Sequence, residues 1–257
     1  MSCITDSTLY KLTLASSAIL ESTETIKLVS SDGGDSLLVH KELLCFYSKY
    51  YTAALKGNFL EAQKDRFEVP LSSENVEAFV RWIYTGQIDD DMPVDDSIHL
   101  YIFADQMDIL ALRRPLLTGL AEHALLDWDA VKLILTSLPP TSQLHDWIVN
   151  SYVAHWELDF DDDYPCPLNS EEDPDHLFAN FIYKVMKGIA VRDNSEDVSD
   201  RSECWCCSIT CYYHEHTSNE EWEASMSTQN CVWSWAFFAD EHLACGQKEG
   251  VRCPHAL

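Results

Sequence analysis

Short runs of alternating apolar and polar residues come first along the chain, and longer runs with apolar residues three and four positions apart follow them. Ile26, Leu28 and Ser30 alternate with Lys27 and Val29, and Ser36-Leu37-Leu38-Val39 follows after Asp32-Gly33-Gly34-Asp35. Glycines between two β-prone runs supply the positive φ of a tight turn, so this stretch predicts a β-hairpin. His40 to Ser48 and Tyr50 to Leu55 read as two short helices, the second closed by Gly57. Arg66-Phe67-Glu68-Val69 reads as a brief strand stopped by Pro70. Ser73 is placed to cap a helix in which Val76, Phe79, Val80 and Ile83 form one stripe, with Gly86 after it. Leu100, Phe103, Ala104 and Met107 repeat that spacing, and Ile109, Leu112, Leu116 and Leu120 continue it. Pro115 lacks the amide a helix interior needs, so it is expected to kink or restart the last segment.

The second half continues as helix. Val131, Leu135 and Leu138 share a face, and after Pro139-Pro140 so do Leu144, Ile148, Tyr152 and His155. Leu177, Phe178, Phe181, Ile182 and Val185 predict one more amphipathic helix. A core face and an interaction face have the same spacing, and periodicity does not separate them. Between these helices lies Glu157 to Asp175, with nine carboxylates, no Lys or Arg, and Pro165, Pro167 and Pro174. Like charges with prolines resist packing, so the segment is expected to be an exposed linker. Asp161, Asp162 and Asp163 also invite a calcium reading, but the Gly and closing Glu of an EF-hand loop are missing.

Charge then narrows the partners. The chain has 257 residues, 46% of them hydrophobic, with 17 basic and 43 acidic side chains and a formal charge of -26. Such a charge repels phosphate backbones and anionic lipid, which argues against direct nucleic-acid contact. Residues 1–124 hold 10 basic and 19 acidic groups, and 125–257 hold 7 and 24, so the second half is the more acidic. No apolar run approaches the roughly 20 residues of a membrane span. Leu12 to Leu20 is a poor signal peptide, interrupted by Thr13, Ser16 and Ser17. These features point to a soluble intracellular protein in the cytoplasm, the nucleus or both, with no membrane partner.

Several short motifs stand in a recurring order. They are Val39-His40-Lys41, Leu43-Leu44, Ser48, Tyr51, Gly57-Asn58-Phe59-Leu60-Glu61 and Tyr84-Thr85-Gly86, then Leu100-Tyr101-Ile102-Phe103-Ala104-Asp105 and Leu112-Arg113. Together they resemble the signature of the BTB/POZ domain over about 100 residues, and most of all that of fungal BTB proteins of unassigned function with a Cys/His-containing tail. The resemblance implies an α+β fold, a small β-sheet flanked by α-helical hairpins, and a role in binding proteins. Phe59, Leu60 and Glu61 match the apolar-x-Glu pattern by which some BTB domains engage cullin scaffolds of ubiquitin ligases; Phe59 would fill a pocket and Glu61 add a directed polar contact. The alternative is that Phe59 covers the domain's own core. His40 has no nucleophile or carboxylate motif beside it and is read as structural, capping amides or packing. BTB transcription regulators usually carry an Asp before the first strand and an Arg in the helix after Val-His-Lys; here Thr25 and Tyr47 stand at those places, so the charged corepressor groove is not expected. Dimerisation in the family usually uses a preceding helix, for which Leu9, Leu12, Ile19 and Leu20 offer a stripe.

Seven of the 10 cysteines fall in the last 54 residues, together with His214, His216, His242 and His255. Cys207, Cys211, His214, His216 and Cys231 supply enough thiolate and imidazole ligands for a tetrahedral structural zinc site. Paired Cys-x2-Cys knuckles are absent and the four ligands are not singled out. Disulfides and free thiols packed as small hydrophobes are the competing readings. A catalytic Cys211–His214 pair lacks an orienting acid and an oxyanion hole.

The organisation expected is an N-terminal extension with a candidate dimerisation helix (1–24), a BTB/POZ domain (25–124), a helical extension (125–156), an acidic linker (157–175), and a helix with a Cys/His-rich tail (176–257). The function expected is that of a homo-oligomeric scaffold or adaptor, in its sharpest form a substrate adaptor for a cullin ubiquitin ligase. The alternatives are a nuclear regulatory protein acting through protein partners with a zinc-stabilised tail and, further off, a zinc or thiol enzyme.

Overall fold

The computed structural model describes residues 23–34, 36–57, 64–89, 91–121, 123, 125–156, 176–193 and 213. Their contacts group them into two units, the first reaching to Leu116 and the second beginning at Leu117.

In the first unit the hairpin forms as the alternation requires. Strands β1 (Thr25–Ser30) and β2 (Ser36–His40) pair antiparallel, with Ile26 opposite Val39 and Leu28 opposite Leu37. Gly33 takes φ +75 in the turn, a conformation that costs glycine little. Strand β3 (Arg66–Val69) adds in parallel on the other side of β1, giving the order β2-β1-β3, with Leu28 opposite Phe67 and Ser30 opposite Val69. Because side chains alternate across a strand, Ile26, Leu28, Val39 and Val69 all turn to one buried face. The opposite face carries Thr25, Lys27, Leu38, Arg66 and Glu68, all exposed.

Helices α1 (Lys41–Tyr47) and α2 (Lys49–Lys56) are divided by Ser48, which ends one and caps the other. Its Oγ accepts from the Tyr51 amide at 3.0 Å and donates to the Met107 carbonyl at 2.5 Å, so one buried hydroxyl ties the helical hairpin to a later turn. Helix α3 (Ser73–Thr85) is capped by Ser72, whose side chain accepts from the Asn75 amide, and ends at Gly86 in the left-handed region. The capping residue is therefore Ser72 and not Ser73, the residue suggested by the sequence pattern. The Ser73 hydroxyl turns instead to Asp32, 2.8 Å away in the hairpin turn. The buried stripe of α3 is Val76, Phe79, Trp82 and Ile83, while Val80 is half-buried. Helix α4 (Val94–Gln106) buries a continuous run from Leu100 to Ala104, as a helix walled in on several sides does. Helix α5 (Leu110–Ala121) runs through Pro115 as one element, not as two restarted ones.

The second unit is helical. Asp127 caps α6 (Trp128–Ser137) by accepting from the Ala130 amide at 2.8 Å, and α7 (Gln143–His155) and α8 (Leu177–Asp193) follow. In α6 the core takes Val131, Ile134 and Leu138, with Leu135 half-buried, a shift of one position from the expected stripe. In α8 the expected Phe178, Phe181, Ile182 and Val185 are buried. Gly188 permits α8 to approach α7 closely, since a Cβ there would lie 2.4 Å from a methyl of Val153.

Candidate functional site

Two motifs 44 residues apart meet in the first unit. The Tyr84 hydroxyl near the end of α3 accepts from the His40 backbone amide at 3.1 Å and lies 2.7 Å from His40 Nδ1. The rings stand edge to face with centroids 5.8 Å apart. The one hydroxyl thus meets both the backbone amide and the ring nitrogen of His40. His40 is the N-cap residue of α1, yet its side chain caps no amide. Of the two structural roles open to it, the packing one is realised. This contact joins Val39-His40-Lys41 to Tyr84-Thr85-Gly86 in space.

A second junction surrounds Asp32. Its carboxylate accepts from Ser30 Oγ at 2.5 Å, the Gly34 amide at 3.0 Å, and the Ser73 amide and hydroxyl, each at 2.8 Å. These hydrogen bonds, led by the one from Ser30, hold the carboxyl well below the usual carboxylate range. Gly34 leaves room for this arrangement: a Cβ there would fall 1.8 Å from Ser73 Oγ and displace that hydroxyl from Asp32. The cluster locks the hairpin turn to the start of α3. Four hydrogen bonds from the chain itself engage the carboxylate, which makes it a structural device.

Thr25 is exposed at the start of β1, opposite His40. Tyr47 is half-buried at the end of α1, its ring 4.9 Å from that of Trp82, and burial pushes its phenol up. Neither position carries a charge. Phe59, Leu60 and Glu61 lie outside the described residues, as do Cys207, Cys211, His214, His216 and Cys231, the segment before Thr23 and the acidic segment 157–175. Tyr213, between Cys211 and His214, is described and is buried. Among the described residues no group of three or more metal-ligating side chains gathers. No described helix is long and apolar enough to cross a membrane.

On the surface of the first unit, a cleft of about 310 Å³ is lined by Tyr50 of α2 and by Lys64, Arg66, Phe67 and Glu68. Tyr50 is exposed and stands edge to face with Phe67, centroids 6.3 Å apart. The fully buried Tyr51 meets Phe67 at 5.3 Å, and burial drives its phenol far up. Arg66 and Glu68 form an exposed ion pair at 3.2 Å. The sequence marked none of these as a site, although the alternation in β3 already turned Arg66 and Glu68 to the side opposite Phe67.

Residues 20–115 match the family model of the BTB/POZ domain, so this part of the chain is a BTB/POZ domain, a family whose members mediate protein–protein interaction and oligomerisation. No curated protein matches the chain.

Proposed function

We propose that the chain is a scaffold or adaptor that self-associates and recruits a protein partner, and that it catalyses no reaction. The observation that carries this reading is the BTB/POZ domain at residues 20–115. Its most specific form is a substrate adaptor of a cullin ubiquitin ligase, supported by Phe59-Leu60-Glu61 between the end of α2 and the start of β3. In that form Phe59 fills an apolar pocket of the cullin, Leu60 lies beside it and Glu61 makes a directed polar contact. The test is co-purification of a cullin with wild type and with Glu61→Lys: recovery with wild type and its loss in the variant is expected, and recovery in neither sample defeats the adaptor role. Light scattering on the full chain is expected to give an oligomer, and a strict monomer at high concentration removes self-association.

For the tail we propose structural zinc held by ligands drawn from Cys207, Cys211, His214, His216 and Cys231. Thiolate and imidazole suit this metal, and the buried Tyr213 in their midst supports a folded setting. Metal analysis of the purified chain without chelator is expected to find one zinc per chain; well below one equivalent overturns it.

A further inference from the structure

We propose that the cleft beside β3 is a docking groove for an extended acidic segment of a partner protein, which adds to the sheet along β3 and sets an apolar side chain against Tyr50 and Phe67. The inference rests on the interaction reading above and names the chemistry of one partner.

Three observations converge on that groove. First, β3 is the last strand of the sheet, and among the described residues it pairs with β1 alone, so its outer edge offers backbone donors and acceptors to an added strand. Second, the cleft has aromatic walls: Tyr50 is 41% exposed and Phe67 half-buried, an arrangement suited to a single apolar anchor. Third, in a chain whose formal charge is -26, three cations stand at this edge against the two carboxylates Asp65 and Glu68. Lys64 and Arg66 line the cleft, and Lys27 stands directly across from Arg66 in the strand pairing.

The charges select an acidic occupant. Glu68 holds Arg66 in a pair that is well exposed on both sides, and such pairs contribute little, so an incoming carboxylate displaces Glu68 at small cost. The chain's formal charge of -26 disfavours unspecific landing of an acidic segment, so binding depends on local cations such as these. The strand geometry accounts for the extended form of the segment, and the aromatic walls account for its anchor.

Fluorescence anisotropy on the full chain tests this with a labelled peptide, Asp-Glu-Phe-Glu-Val-Asp-Glu. Saturable binding is expected. Arg66→Glu and Tyr50→Ala should each weaken it by about tenfold, Arg66→Gln by less, and Arg81→Glu, a charge reversal outside the cleft, should leave it unchanged. The same peptide N-methylated at alternate residues should not bind, because an added strand needs its amides. Circular dichroism checks that each variant keeps its helices; Tyr50 and Arg66 are exposed, so folding is expected to survive both changes. Absence of saturable binding, equal loss with Arg81→Glu, or undiminished binding of the N-methylated peptide each overturns the proposal. Cullin recovery and self-association are read separately, so a chain that passes those tests and ignores the peptide refutes the groove alone.

Discussion

In the first unit, several polar side chains are tied to partners brought from far along the chain, although the buried Tyr51 hydroxyl has no partner among the described residues. Asp32 accepts from Ser30, Gly34 and Ser73, Ser48 bridges the Tyr51 amide to the Met107 carbonyl, and His40 meets Tyr84. The second unit is held in another way. Trp128 packs against Tyr152 at 5.1 Å, Phe178 at 6.1 Å and Phe181 at 6.3 Å, and Tyr152 meets Phe181 at 5.1 Å. Around that aromatic cluster, Ser142 Oγ, His145 Nε2, Trp147 Nε1 and Trp156 Nε1 are buried with no partner among the described residues. Hydrogen bonds are directional and fix one geometry, whereas ring packing mainly demands filled volume. The first unit packs rings as well, Phe79 against Phe103 at 5.1 Å and Tyr51 against Phe67 at 5.3 Å, so the difference teaches that it adds directional ties across long sequence separations to that packing.

The largest test of that contrast removes the centre of the aromatic cluster. Trp128→Ala is expected to cost about 3–5 kcal/mol in denaturant unfolding followed by circular dichroism, since little can collapse into the space left. A cost under about 1 kcal/mol, the range of an exposed position, breaks the picture of a unit held by rings. Next is Ser48→Ala in the first unit. It removes the cap on Tyr51 and strands the Met107 carbonyl, and should cost about 2 kcal/mol. If Ser48→Ala proves neutral, the polar ties are not what positions α1 and α2.

The smallest effect is a difference in pH response. His145 is pushed below its ordinary value, first by burial and then by Lys184 of α8, while the Ile134 and Leu138 carbonyls and Asp146 oppose the shift. A base whose folded value is depressed binds protons more readily unfolded, so its contribution is complete above about pH 6.5 and is lost as pH falls. Asp32 also titrates below its ordinary value when folded, and its contribution is complete above about pH 4 and is lost on acidification below that. The second unit should therefore weaken at mildly acidic pH and the Asp32 junction only in strong acid. Melting temperature against pH checks this: His145→Leu should flatten the slope between about pH 6.5 and 5, and Asp32→Asn only below about pH 4. Identical slopes for wild type and His145→Leu would remove the distinction.

Much of the fold was readable in order along the chain. Alternation gave β1, β2 and β3, Gly86 marked the end of α3, and Phe178, Phe181, Ile182 and Val185 marked the buried face of α8. The errors are small shifts of one kind. Ser72 and Ser73 are both competent caps, and the choice between them falls to Asp32, which draws the Ser73 hydroxyl away. Ile134 and Leu135 are both apolar, and the neighbouring helices α7 and α8 decide which is covered. For the candidate surface the sequence supplied Phe59 to Glu61 as a motif but held no sign of the cleft, whose walls come from α2, from β3 and from Lys64 two positions before it.

The sequence alone determined where most of the described strands and helices lie, because local periodicity and turn chemistry specify which residues face inward wherever the chain later packs. Tertiary structure alone decided that Tyr84 holds His40, that Asp32 holds Ser73, and that Tyr50 and Phe67 form two walls of one groove. Those pairings join positions separated by 44, 41 and 17 residues. No local rule reaches that far, since such contacts exist only once the sheet and helices have brought the chain back on itself.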